Sequence, residues 1–338
     1  MLHCMGRAVY HMIHSVQTCQ KKMNGGIAVF AGILAGMTWA VETILLGIAL
    51  SMNPLCSTPQ AMALAPFVST FLHDLFSALC LCIINGVRGR LPDVAAALKT
   101  KNGRFAALAA IVGGPVGMTG YTLCVANLGA SIGAVASAVY PAIGAVLAFF
   151  FLKEKMPWYR WLCLFLCLLG VYGLSYSPEM SIHHFWLGVS GALMCAFGWG
   201  IEGVIIAKCV RNYAVSDDIA LQIRQTTSAL VHGVVILPLV RGWNFTFSLF
   251  HGTQWLIPVI AAAAVFASLS YHFYYHAIRE VGTSRAMALN ISYSAWAVIF
   301  SILFLKDYAL LNPVTLACTA AVLLFGILAG TASRSSQV

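Results

Sequence analysis

The stretches Gly36-Met37-Thr38-Trp39-Ala40-Val41-Glu42 and Phe197-Gly198-Trp199-Gly200-Ile201-Glu202 decide how the chain is read. Each sets a tryptophan and a glutamate three residues apart inside an apolar run too long for an ordinary soluble helix. A spacing of three puts both side chains on one helical face. A carboxylate near the middle of a bilayer costs roughly 2.5–3.5 kcal/mol, so it needs a partner or a purpose. This chain carries such an acid twice, at equivalent places.

The composition around these stretches is that of a membrane protein. Hydrophobic residues make up 60% of the chain and charged ones 9%, with a mean hydropathy of +0.86, which excludes a soluble globular domain. Apolar runs of about 20 residues, each enough to cross a hydrocarbon core, recur along nearly the whole length. Ten spans are expected, at about 27–50, 61–86, 105–126, 131–151, 158–176, 185–207, 218–240, 255–278, 284–304 and 311–331. The fold class is therefore all-α and polytopic. Only the connections 87–104 and 241–254 are long enough for a small element of their own. No cleavable leader is evident. Residues 1–23, with His3, His11 and His14, read as a cytoplasmic tail or a surface-lying helix, and 332–338 as a C-terminal tail.

The net charge of +9 is explained by orientation and not by nucleic acid. With the N-terminus inside, 16 of the 19 lysines and arginines fall on the inner side; Arg241 and Lys306 lie outside and Arg224 within a span. That bias places both termini in the cytoplasm of a cell bounded by this plasma membrane. The 11 cysteines form no CxxC pair and read as small apolar filler. No nucleophile motif, metal cluster or phosphate loop stands out, so neither an enzyme nor a cofactor is expected. No loop reaches the size of a soluble signalling domain, which disfavours a receptor.

The second half (185–331) repeats the first (24–176). Trp39 and Glu42 match Trp199 and Glu202 at an offset of 160, and from Tyr121 to Glu154 the offset is 153 without a gap. Pairs at the second offset include Gly129/Gly282, Ser131/Ser284, Tyr140/Tyr293 and Lys153/Lys306. Five spans per copy is an odd number, so the copies should be inserted upside down relative to each other. Inverted repeats are a signature of secondary transporters, whose substrate sits near the midplane between the halves.

These residues also carry a resemblance. Two five-helix repeats, with Ala138-Val139-Tyr140-Pro141-Ala142 ahead of Phe149-Phe150-Phe151-Leu152-Lys153-Glu154, look like the EamA-type drug/metabolite transporter superfamily. Within it the chain is similar to LicB-type choline permeases. The matching segments are His73-Asp74, Gly114-Pro115-Val116-Gly117-Met118, Trp199-Gly200-Ile201-Glu202, Ile223-Arg224-Gln225, Ser270-Tyr271, Tyr274-Tyr275, and Asn290 to Tyr293 with Trp296. The acid at Glu42 departs from that family's usual first helix. The resemblance implies import of choline or a related small cation; the alternative is an exporter of amino acids, metabolites or drugs, as in other EamA-type relatives.

A quaternary ammonium has no N–H to donate, so aromatic faces and a balancing carboxylate must hold it. Cation–π attraction supplies about 2 kcal/mol or more when the site is desolvated. Trp39 with Glu42, Trp199 with Glu202, and Tyr293 with Trp296 are each spaced by three, while Tyr271, Tyr274 and Tyr275 share a face of the eighth span. With Tyr140 these make an aromatic box with an acidic wall constructible from spans one, four, six, eight and nine. Trp158, Trp161, Trp186 and Trp255, at span starts, read as interface anchors instead.

Two acids carry competing roles. Arg224 lies at Glu202's depth, so Glu202 either contacts the ligand or forms a buried ion pair that fixes helix packing. Glu42 has His73 and Asp74 as its nearest partners. That cluster is either a proton relay, because histidine titrates near neutrality, or a simple hydrogen-bonded brace. Protons are thus a candidate coupling ion. His272 and His276 are four apart, a metal-compatible spacing, but lack a third ligand, so no metal is expected. Gly32-xxx-Gly36 and Gly129-xxx-Gly133 permit close helix approach. Tyr140-Pro141 should break its span, and the break should be one-sided because Ser294 replaces the proline in the second half.

Overall fold

The computed structural model describes residues 2–128, 130–176, 184–210, 215–251 and 254–331; the side chains of 2–25, 130, 131 and 134 lie outside that description. Gly129, Arg211, the side chains of the N-terminal histidines and the expected tail 332–338 thus fall outside the described residues.

The described chain is helical throughout, with no strand. Nine of its helices are long and apolar enough to cross a membrane, and a bent pair makes a tenth. They are α1 (Leu2–Leu50), α2 (Pro59–Val87), α4 (Lys101–Leu128), α5 (Ala130–Ala138) with α6 (Tyr140–Leu152), α7 (Trp158–Ser175), α8 (Phe185–Val210), α9 (Asp217–Leu239) with α10 (Trp243–Ser248), α11 (Leu256–Val281), α12 (Thr283–Asn290) with α13 (Tyr293–Phe304), and α14 (Pro313–Gly330). The short α3 (Leu91–Lys99) and α10 fill the two connections expected to hold small elements. α1 is one helix from Leu2 onward, so the segment read as a tail continues the helix of the first span.

Local chemistry sets the helix ends. Thr58 accepts a hydrogen bond from the Ala61 N–H at 3.1 Å and Asn312 one from Thr315 at 2.9 Å, each just ahead of a proline at the first helical position. Lys153 and Lys306, paired by the offset of 153, both end their spans in the left-handed region, at φ 56° and 57°. A non-glycine residue there costs about 1 kcal/mol, which the capping N–H bonds to Ala148 and Ser301 offset.

The seventh span is the polar one, and its side chains explain how it survives in lipid. Asp217, Gln222, Arg224, Gln225, Ser228 and His232 are buried, whereas Leu230, Val234, Val235 and Leu239 are exposed. After Leu239 the chain turns by 114° into Trp243–His251.

Breaks also fall in the fourth and ninth spans, and here the expectation of a one-sided break is corrected. α5 gives way to α6 at Val139, ahead of Tyr140-Pro141, but α12 also gives way to α13 at Ile291-Ser292 without any proline. The hydroxyls supply the reason: Ser292 donates to Leu289 O at 2.6 Å and Ser294 to Ile291 O at 3.2 Å. Serine bonds to a carbonyl one turn back compete with the helical ladder.

Glycines set the depth at which helices meet. On α4 and α8, Gly120 and Gly191 face each other so closely that a methyl group on either would strike the other helix's backbone. Gly32 and Gly36 admit Leu289 and Ser292 against α1. Ser270 on α11 donates to Ala35 O on α1 at 2.8 Å. Outside this core, Phe150, Phe151, Trp158, Trp186, Trp255 and Phe304 stand largely exposed, as side chains facing lipid or its boundary would.

Because Gly120 meets backbone and not a flexible side chain, Gly120→Val should destabilise the protein by about 1–3 kcal/mol. Gly47, which has open space around it, should tolerate alanine or gain about 0.5–1 kcal/mol. Thermal unfolding of the two variants in one detergent reads the contrast; equal shifts would contradict the packing.

Candidate functional site

Two unusual turns interrupt α4 and α9 behind the residues that line the central cavity. In α4 the segment Val112–Val116 widens into a π turn around Pro115, and in α9 His232–Ile236 does the same just ahead of Pro238. Proline cannot complete the ordinary ladder, and a π turn accommodates it while leaving carbonyls available. Both turns use one in the same way. Gly113 O accepts the Trp199 indole N–H at 2.9 Å, and Gly233 O accepts that of Trp243 at 3.1 Å.

Gly113, Gly114 and Gly117 make room for what faces them. A methyl group at Gly113 would land on the Glu202 carboxylate, one at Gly114 on Ser228, and one at Gly117 on the Trp199 ring at 2.8 Å. The glycine-proline segment of α4 is therefore a seat for the Trp199–Glu202 face of α8.

Above it lies a cavity lined by Trp39, Tyr140, Trp199, Glu202, Tyr271, Tyr274, Tyr275 and Tyr293, with Gly203, Ile206, Ser270 and Asn290 filling between them. The centre of a water-sized sphere can occupy about 70 Å³ of it, space for a small solute only. The rings are packed mostly edge to face: Trp39 with Tyr271 at 5.2 Å, Tyr140 with Trp199 at 6.0 Å, and Tyr271 with Tyr275 at 5.9 Å. Such contacts hold the faces in fixed orientations. Asn290 donates to the Tyr140 hydroxyl at 3.0 Å, tying the two broken spans together beside the cavity.

Behind Glu202 runs a buried polar network across spans one, two, six, seven and eight. The Arg224 Nε donates to Glu202 Oε1 at 2.8 Å, its Nη1 donates to Gln225 Oε1 at 2.6 Å and lies 3.7 Å from Asp74 Oδ1, and its guanidinium sits 4.5 Å from the Tyr271 ring centre. Asp74 Oδ1 meets His73 Nδ1 at 3.0 Å, and His73 Nε2 lies 3.5 Å from Glu42 Oε1. That last distance is long for a hydrogen bond and becomes an ion pair when the imidazole is protonated. The Thr43 hydroxyl lies 3.3 Å from Glu42 Oε2.

The links between α2 and α9 cross over. Ser228 on α9 donates to Asp74 on α2 at 2.5 Å, and Gln225 on α9 donates to Ser77 on α2 at 2.8 Å. Each helix thus offers one residue and, three positions on, a serine that meets the other's. Ser77 continues to Ser268 on α11 at 2.5 Å. Three buried acids, Glu42, Asp74 and Glu202, stand in this network with one arginine, which meets the latter two.

Of the residues expected at the site, Trp39, Tyr140, Trp199, Glu202, Tyr271, Tyr274 and Tyr293 share one chamber. Glu42, His73, Asp74 and Arg224 stand outside its wall, in the network. Trp296 is not brought in: it points along α13 against Phe300, 5.9 Å away. Tyr293 opens α13 at the chamber, whereas Trp296, a turn further along the same helix, lies beyond the lining. Ser270 and Asn290 line the chamber without being expected there, although each stands beside an expected residue, in Ser270-Tyr271 and in Asn290 to Tyr293. His272 and His276 have acids after all: Asp218 lies 2.8 Å from His272 and Asp217 3.8 Å from His276. These are contacts between residues far apart in the chain that spacing within one helix cannot reveal, and among the described residues no cluster of three metal-binding side chains forms.

The chain is a polytopic helical membrane protein with a buried polar centre, and comparison with known proteins gives its class. Residues 26–176 match the EamA-like transporter family. The chain is 30% identical over 213 residues to Protein LicB of Haemophilus influenzae, covering 63% of this chain and 70% of that one. This protein belongs to the EamA-like transporter family. A solved crystal structure, 14% identical, superimposes with a TM-score of 0.68 over 90% of this chain and 96% of its own, which supports the fold.

Removing one partner of a buried pair strands the other, at about 3–5 kcal/mol. Arg224→Gln should accordingly lower the unfolding temperature sharply, and Glu202→Gln added to it should recover most of the loss. A double variant as unstable as the sum of the single ones would mean that Arg224 serves Asp74 and not Glu202.

Proposed function

We propose that this protein is a secondary transporter that carries a small organic cation, choline or a close relative, inward across the plasma membrane. The observation that carries the reading is the chamber walled by seven aromatic side chains and one carboxylate. Aromatic faces bind a quaternary ammonium without needing a donated hydrogen bond, and Glu202 balances its charge. Arg224 does not line the chamber, so an anionic solute would find no cation there to meet it. With three buried acids against one arginine, the network behind the chamber favours an entering cation or proton.

The same reading extends to mechanism. The two halves act as inverted copies that rock about the midplane, and the crossed Asp74–Ser228 and Gln225–Ser77 bonds support an axis between α2 and α9. Trp39 from the first half and Trp199 from the second line one chamber, where each half grips part of the ligand. Glu42 with His73 is the titratable side of the network, suited to a coupling proton, whereas Arg224 keeps its charge at any physiological pH. The excess of lysine and arginine on one side supports cytoplasmic termini.

Choline should stabilise the purified protein, and labelled choline should enter reconstituted vesicles faster under an inward proton gradient. Trp199→Ala should weaken choline binding about tenfold or more, since it removes a desolvated ring worth about 2 kcal/mol. Trp158→Ala, at an exposed position, should leave binding unchanged. Equal effects, or the absence of any choline-dependent stabilisation, would overturn the cation reading. His73→Gln should abolish the response to the proton gradient while choline still binds.

A further inference from the structure

A second cavity opens where the ends of α6, α7, α11, α12 and α14 gather, away from the aromatic chamber. It is larger and of opposite character: a water-sized sphere can occupy about 670 Å³ of it, and its charged residues are mainly basic. Part of that charge is already matched. Arg279 pairs with Asp217 at 2.6 Å and with Glu280 at 3.1 Å. The Glu154 carboxylate accepts the backbone N–H groups of Thr283 at 3.0 Å and Ser284 at 3.1 Å, so it closes the N-terminus of α12.

Lys153, Lys155, Arg160 and Arg285 complete the basic wall, against the two carboxylates of Glu154 and Glu280. Arg160 is the telling member. It is 2% exposed, its Nη2 donates to Thr331 O, and its Nε is buried with no hydrogen-bond partner among the described residues. An unmet N–H on a buried guanidinium is costly unless an acceptor arrives. Arg285 lines the same cavity within electrostatic reach of that guanidinium, with Glu154 as the acid that faces it.

We propose that this cavity binds a phosphate-bearing anion. A tetrahedral oxyanion offers several acceptors to Arg160 and Arg285 at once and neutralises the two flexible lysines. Such an anion can come from the headgroup of an anionic phospholipid or from a soluble phosphomonoester. The flanking side chains favour the headgroup: Phe150, Phe151 and Trp158, next to the lysines in sequence, are largely exposed and give acyl chains an apolar path. Basic pockets between helix ends hold anionic headgroups in just this setting. The site is independent of the cation chamber and stands whether or not choline is the substrate.

The test uses the full-length protein in a neutral detergent, with phosphatidylglycerol, phosphatidylcholine and glycerol 1-phosphate as probes. Phosphatidylglycerol should bind about tenfold to hundredfold more tightly than phosphatidylcholine, and this preference should shrink as salt is raised. The triple variant Lys153→Gln, Lys155→Gln, Arg285→Gln keeps the buried Arg160 and should lose the preference. Binding of glycerol 1-phosphate as well would identify the phosphate as sufficient; binding of the lipid alone would identify the headgroup as the source. Binding of neither phosphatidylglycerol nor glycerol 1-phosphate, binding insensitive to salt, or a preference that survives in the triple variant would each overturn the proposal. The salt dependence is read on the unmodified protein, so it decides the matter even if the variant does not fold.

Discussion

A single guanidinium holds the centre of this molecule together. Arg224 meets Glu202, Gln225 and Asp74 with its donors and Tyr271 with its face, and so joins four spans at the depth of the chamber. Burying it without those partners would cost several kcal/mol in a medium that cannot hydrate it. The polar seventh span is tolerable in lipid because its buried side chains complete one another's hydrogen bonds. The chamber inherits its shape from this arrangement: Glu202 and Tyr271 form part of its wall while being fixed from behind.

The glycines of α4 are the second constraint. They bring its backbone against the Trp199–Glu202 face so that the tryptophan can reach a carbonyl freed by the π turn. Packing and polar chemistry therefore act on the same few residues. A larger residue at Gly113 or Gly117 would displace a carboxylate or an indole that the cavity needs.

The two cavities divide the molecule by charge. The inner one is aromatic with an acid in its wall; the outer one is polar with an excess of cations. Each sits where its chemistry is affordable. Desolvation strengthens electrostatic attraction in the inner cavity, while long lysine side chains at helix ends can reach water.

Much of the architecture was legible in the chain because it follows from local demands. A hydrocarbon core requires about 20 apolar residues whose backbone bonds close within one helix, and that pattern can be counted along a sequence. The tryptophan–glutamate spacing, the depth of Arg224 and the proximity of Glu42 to His73 were legible for the same reason. What only the tertiary structure decided is how each helix is rotated and how deep it sits. Those settings brought Tyr293 to the chamber and left Trp296 beyond it, broke the ninth span at two serines, crossed Asp74 with Ser228 and Gln225 with Ser77, and gave His272 an acid from another helix. Rotation and depth depend on which glycines let which neighbours approach. Such contacts join residues far apart in the chain, and no local pattern records them.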